Sequence, residues 1–340
     1  MFINLAIIST KTYAKVFKIE NVEITQPYNL YFKKENVIDK AIIESFNILV
    51  QRVIKSEDYN KIDVKNINEI KPMLDSFSIV DERFKDNNYS ANFSILFNKR
   101  DILTFLNKKN IVSSSPIKKK IFFLPIFIDL KNNELSLYNQ NRFYIDWNLE
   151  QKKTNLLSYY MPGEDLDDYN FIKNNLDNIE NFDFNNILSK YNAKEYIVSI
   201  FFKDQEKIKV LSRISLNNEF FISNLNFNNI KDINDKNSKN IISNLKVYYE
   251  NEWKRVNEIN TSIKLPLTIT INSKKIDLIN KFESELISSD LIYDYSIDSI
   301  NSDENIYKLI YNGTPDKFLS EFKNKKFKID ISNEIWLLNE

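Results

Sequence analysis

The 340-residue chain has no cysteine, no histidine and only two glycines, Gly163 and Gly313. Each absence closes off some chemistry. Without cysteine there are no disulfides, thiolate nucleophiles or thiolate metal sites. Without histidine the commonest general base and the commonest transition-metal ligand are both missing. Two isolated glycines cannot write a dinucleotide-binding G-x-G-x-x-G or a P-loop. The lack of cysteine assigns no compartment, because an oxidising space permits disulfides without requiring them. An excess of either charge is lacking too: 47 basic residues balance 47 acidic ones, so no overall field draws in nucleic acid.

Aromatics make up 14% of the chain and apolar residues 43%, enough to build cores and to argue against disorder. Asparagine, isoleucine and lysine dominate, asparagine at roughly one residue in seven. The three share A/T-rich codons, and mutational bias accounts for them more simply than any asparagine-specific function. At the N-terminus Phe2–Ile8 is a short apolar run followed by polar residues, and Thr12 and Ala14 stand where small residues precede a signal-peptidase cut. No basic residue precedes the run and Lys11 interrupts its end; the expectation is nonetheless export to the periplasm, with residues 1–14 a signal-peptide remnant. No other segment approaches the ~20 apolar residues of a membrane span.

Periodicity divides the rest into three small units in series, an α+β fold. Residues 15–112 read as β-α-β-β-α. The spacing of Ile38, Ile42, Phe46, Leu49 and Val53 predicts an amphipathic helix over 35–55. Strict alternation through Tyr89, Ala91, Phe93, Ile95 and Phe97 predicts a half-buried strand, and Asn98 is placed to cap the helix after it. Ser113–Pro116 reads as a linker. Residues 117–258 open on IFFLPIFIDL (121–130), typical of a strand buried on both faces, and close on a helix over 238–256 with Ile241, Leu245, Tyr248, Trp253 and Val256 along one side. Residues 262–340 show the order β-α-β-β-α-β of a ferredoxin-like split βαβ motif, with Ile276, Ile279, Phe282 and Leu286 of its first helix facing inward.

Several stretches carry a resemblance: IDKAIIESFNILVQRVI (38–54), SIVDERFKDNNYSANFSILFNKRDILTFLNKKNI (78–111), FFLPIFID (122–129), RFYIDWN (142–148), MPGEDLDDYNFI (161–172) and ILSKYNAKEYIVSIFF (187–202). Over most of 15–250 the chain resembles an uncharacterised proteobacterial family catalogued as domain of unknown function twenty sixty-six. That family usually shows glycine where this chain has Asn192. The resemblance implies a signal peptide and no known activity, so it transfers no catalytic residue and no cofactor. At the level of fold alone, the first unit looks like small domains of secreted flagellar-ring stabilising proteins, and the second like the amino-terminal domain of the translocation protein TolB and curli-secretion lipoproteins.

The densest functional candidate is the loop Met161–Tyr169, with Pro162, Gly163, Glu164, Asp165, Asp167 and Asp168. Oxygen-rich clusters hold Ca²⁺ or Mg²⁺, and paired carboxylates perform acid–base work. The EF-hand pattern fails, however, because Asn170 stands where its glycine belongs. The plainer reading is an exposed helix start capped by Asp165 and open to a partner. Ser115–Lys118 and Ser320–Lys323 match the Ser-x-x-Lys of penicillin-binding enzymes, but the first contains Pro116 and leads into a strand, and the second lies late in a helix with no companion motif. Lys118–Lys120 reads as a solvated flank, and Phe122-Phe123 and Phe220-Phe221 as core. The expectation is a non-enzymatic envelope protein that binds other envelope proteins, without cofactor, metal or nucleic acid. The competing readings are a carboxylate-dependent, metal-assisted hydrolase at Glu164–Asp168 and a small-molecule or lipid-binding protein with a pocket between units.

Overall fold

The structure is a computed structural model that describes residues 17–149, 152–259, 263–289 and 291–339. The expected signal-peptide remnant lies outside the described residues. The fold is α+β, with helices and several small sheets interspersed. The described residues fall into two compact units: one from 17–54, 58–115 and the described residues after 257, the other from 55–57 and the described residues of 116–257. The three stretches read from the sequence keep separate cores, the first and third of them within one unit.

In the first unit, β1 (Lys18–Pro27), α1 (Lys34–Val53), α2 (Ile67–Ile70), β2 (Leu74–Lys85), β3 (Asn88–Phe97), α3 (Lys99–Lys108) and β4 (Ser113–Ser114) follow in order. The strands make an antiparallel sheet ordered β1-β3-β2. Alternation is realised as read: Tyr89, Ala91, Phe93, Ile95 and Phe97 are all buried, against Ala41, Ile42, Phe46 and Leu49 of α1. Asn98 caps α3 by accepting the Asp101 N–H at 3.2 Å. β2 is exposed along most of its length, and two bulges together with Asp81, Glu82, Arg83 and Lys85 blunt its edge against unwanted pairing. Ser113–Ser115, read as a linker, are buried instead: the first two pair with β11 (Glu258–Ile259), and Ser114 Oγ donates to Val53 O at 3.1 Å.

The second unit runs β5 (Lys119–Asp129), β6 (Glu134–Ser136), α4 (Arg142–Asp146), β7 (Leu157–Tyr160), α5 (Leu166–Lys173), α6 (Asn185–Lys190), β8 (Tyr196–Asp204), β9 (Lys207–Leu216), β10 (Glu219–Phe227) and α7 (Asp235–Val256). The sheet order is β10-β9-β8-β5-β6, and β7 shares an edge of β5. β5, parallel to both β8 and β7, is buried on both faces, as its unbroken apolar run requires. Ile121 and Phe123 enter a core shared with α4 and α7; Phe122, Leu124, Ile126 and Ile128 enter another shared with α5 and α6. On α7 it is Tyr249, not Tyr248, that is fully buried, its hydroxyl bonded to Ser199 Oγ (2.8 Å) and Ser212 Oγ (2.7 Å). Phe122, Phe123 and Phe221 belong to the core or pack against it, whereas Phe220 is 58% exposed on the edge strand β10.

The C-terminal stretch adds β12 (Leu265–Asn272), α8 (Ile276–Ser288), β13 (Ile292–Ile300), β14 (Glu304–Tyr311), α9 (Pro315–Asn324), β15 (Lys328–Asp330) and β16 (Trp336–Asn339). β14 lies antiparallel between β12 and β13, which makes the split βαβ arrangement. A departure follows α9: β15 turns back into β16, and β16 takes the place beside β12, parallel to it. Phe282 and Leu286 are buried as expected and Ile279 packs against the same core, but Ile276 is 65% exposed and Leu278 takes the inward position. Ile276 opens α8, before the helix reaches the sheet.

Left-handed backbone occurs at Asn21, Asn87, Asn110, Asn133, Asn192, Asn217, Asn218 and Asn229, with Asp86, Tyr138, Gln205 and Lys326, and at no glycine. Asparagine tolerates this region better than other side chains, so it serves here in the role glycine usually fills. Asn192, where the resembled family carries glycine, has φ 50°.

Candidate functional site

The acidic loop is built between the starts of α4 and α5 and the end of α6 in the second unit. Asp165 caps α5, its Oδ1 accepting the N–H groups of Asp167 and Asp168 at 3.0 Å each. From α6, Lys190 reaches both acids, forming an ion pair with Asp165 and one of 3.4 Å with Asp168. Tyr191 donates its hydroxyl to Asp168 Oδ2 at 3.4 Å. The 138–144 segment ties down the other side: Tyr144 OH donates to Pro162 O (2.7 Å), Asn139 Nδ2 to Glu164 Oε1 (2.6 Å) and Tyr138 OH to Asp165 O (3.4 Å). Tyr138 has φ 49°, a strained conformation for a bulky side chain. Asn141 stiffens that segment by capping α4 and donating to Pro125 O at 3.0 Å.

These contacts set the electrostatics. The Lys190 ammonium, then the cap N–H of Asp168, holds the Asp165 carboxyl below its ordinary value, and Asp165 in turn raises Lys190. Burial, reinforced by the negative charge of Asp168, pushes the Tyr138 and Tyr191 hydroxyls up. Asp165 is thus kept ionised, with Lys190 as counter-ion to both it and Asp168. An acid of this kind accepts hydrogen bonds and positions cations; it does not protonate a leaving group near neutral pH.

The sequence reading placed the whole cluster at an exposed helix entrance. The cap is there, but the exposure is divided. Pro162 and Asp168 are buried and Asp165 is half-buried, whereas Gly163, Glu164, Leu166 and Asp167 face outward. Among the described residues no three acidic side chains group as a metal site would need. Lys190, Tyr191, Tyr138, Asn139 and Tyr144 were missed as parts of the site. Lys190 and Tyr191 lie in ILSKYNAKEY and Tyr144 in RFYIDWN, two of the stretches that carry the family resemblance, which was the one available signal. The tripeptide Lys118–Lys120 is partly committed: Lys119 pairs with Glu195, and Lys120 sits 5.5 Å from the Tyr160 ring centre. Ser115 is buried while Lys118 is exposed, so the first Ser-x-x-Lys match does not share one environment.

Two other carboxylates are buried among the described residues: Asp146, bonded to Arg142 and to Ser238 Oγ (2.7 Å each), and Glu250. Glu250 of α7 accepts Leu156 N–H (3.0 Å) and Leu157 N–H (2.8 Å), which anchors the start of β7. One turn on, Lys254 is only 3% exposed. Burial pushes its ammonium down to about 8, against the opposing pull of Glu250.

No family model matches the chain, and no curated protein matches it at significant similarity.

Proposed function

We propose that the chain is a non-enzymatic periplasmic protein that binds other components of the cell envelope, with the outward side of the Pro162–Asp168 loop as a contact surface. The observation that carries this reading is the division of labour within the loop. Asp165 and Asp168 are engaged inward with Lys190 and the helix cap, Tyr138 and Tyr144 fix the backbone, and Asn139 orients the Glu164 carboxylate. What remains outward is Gly163, Glu164, Leu166 at 72% exposure, and Asp167, a preorganised patch of mixed polarity. Gly163 sharpens the point. Glycine is nearly eliminated from this sequence, yet Gly163 lacks a left-handed φ, and nothing lies within 4 Å of where its Cβ would be. Neither its own backbone nor its own neighbours require it; a close-approaching partner would.

Membership of the proteobacterial family and export past Ala14 belong to the same proposal. Because the chain has no cysteine, a single cysteine in place of the exposed Asp167, carrying a photo-crosslinker, reads the surface directly in cells. The expected result is a discrete crosslinked species from the periplasmic fraction, absent when the probe stands at Ile276. Crosslinking no more specific at 167 than at 276, or full-length protein confined to the cytoplasm, would sink the proposal.

A further inference from the structure

One end of the β1-β3-β2 sheet carries large apolar side chains held out in solvent. Tyr28 is 53% exposed, Leu30 101%, Tyr31 87% and, on the adjoining β2–β3 hairpin, Phe84 63%. Single exposed apolar residues are ordinary, but these four lie in or beside two turns joined by the bond Tyr28 N–H to Asn87 O at 2.7 Å. The turn is fixed, not loose: Asn29 Oδ1 accepts the Tyr31 N–H at 2.9 Å, and Phe32 N–H bonds Asn29 O at 2.9 Å. Behind the apex a ladder of rings runs to the core, with Tyr28 on Phe84 and Phe32 (5.2 and 5.0 Å) and both of these on buried Tyr89 (5.0 Å each). Local structure therefore keeps Leu30 and Tyr31 from collapsing onto the sheet.

We propose that this apex inserts into the interfacial layer of a phospholipid surface. The apex is two adjacent turns rather than a groove, and its apolar area is on the order of 500 Å² from side chains of this size. That falls short of the ~800 Å² per partner typical of a stable protein interface. Tyrosines belong at the depth of lipid headgroups, and lysine stems reach past apolar surface to them. Lys33, Lys34 and Lys85 supply such stems, but Glu35, Glu82 and Asp86 stand among them and Lys34 pairs with Glu82 at 2.7 Å. The collar's charges cancel, so attachment rests on apolar insertion and resists salt. Among the described residues no helix is long and apolar enough to cross a membrane. The inference does not depend on the acidic loop as a contact.

The test is flotation of the full chain with vesicles of phosphatidylethanolamine and phosphatidylglycerol, at low and high salt. The wild type should float at both, and a Leu30→Trp variant should shift its emission to the blue on binding. Leu30→Glu with Tyr31→Glu should weaken flotation by about tenfold or more, the scale set by losing burial of one or two large apolar side chains. Ile276→Glu, at an exposed apolar position elsewhere, should float like the wild type. Three results would overturn the proposal: no flotation of the wild type, flotation abolished by salt, or a double variant that floats normally while its sedimentation shows lost self-association.

Discussion

Two loops of this chain meet the solvent by opposite means. The Met161–Tyr169 loop has the most conspicuous composition in the sequence, four acids in five residues, and turns half of that charge inward. Lys190, the α5 cap and three side chains of the 138–144 segment take up its polar groups. The Tyr28–Lys33 loop matches no motif and does the reverse. Its one asparagine bonds its own backbone, and the result points a leucine and a tyrosine away from the protein. Density of charge thus proved a poor guide to what is offered outward. The internal bonding of each loop says more than its composition.

The strongest way to sharpen that contrast is a carboxylate spent wholly inward. Replacing Glu250 with alanine strands the Leu156 and Leu157 N–H groups and leaves the buried Lys254 ammonium without its neighbouring carboxylate. Urea denaturation should show a loss of about 2–5 kcal/mol, the usual cost of leaving two buried N–H groups unsatisfied. A loss comparable to that of a surface substitution would mean that water replaces the carboxylate.

The next effect is a pH dependence. Lys254 titrates near 10.5 when unfolded but at about 8 in the fold. Between those values the unfolded chain binds the extra proton, so stability rises with pH and is lost as pH falls through 8. Denaturation midpoints should therefore climb from pH 8 towards 10, where tyrosines begin to titrate, and Lys254→Met should flatten the climb. An unchanged slope in the variant would assign it to other groups.

Asp165→Ala should destabilise by less than the Glu250 change, because its ion pair is open to solvent and chiefly the cap is lost. Asp165 has a depressed folded value, so its contribution is present above the unfolded value of 3.8 and vanishes as pH falls through the folded one. Thermal melts should show wild type and Asp165→Ala converging in acid. A gap that persists there would mean the carboxylate's charge is not what counts. Smallest of all, the Leu30→Glu, Tyr31→Glu pair should shift stability by no more than ~0.5 kcal/mol, as for surface positions without internal partners. A larger loss would show that the apex packs against something within the chain.

How much of this was legible beforehand follows the range of the interactions. Local patterns were read well: the alternation of β3, the double burial of β5, and the caps at Asn98 and Asp165 all depend on neighbours a few residues away. What the sequence concealed depends on distant partners. Lys190 approaches Asp165 only because α6 packs beside α5, and no spacing rule connects residues 25 apart. Ser113 and Ser114 look like part of a linker until Glu258–Ile259 arrive to pair with them. Tyr249 displaces Tyr248 from the core because its hydroxyl finds two serines on β8 and β9. Likewise, nothing local says that β16 rather than β15 would settle beside β12.

The left-handed asparagines bear on which substitutions the lineage can tolerate. A chain drifting towards A/T-rich codons loses glycine first, and turns are where that loss should be fatal. Here the turns have absorbed it, because an amide side chain tolerates the backbone conformation that the β2–β3 and β9–β10 hairpins demand. The exception is Gly313, where an added Cβ would come within 2.7 Å of the buried Tyr311 ring. That ring cannot swing aside without leaving the core and breaking its bond to Glu321 at 2.9 Å. Codon drift can therefore pass through the hairpins of this protein but should halt at residue 313.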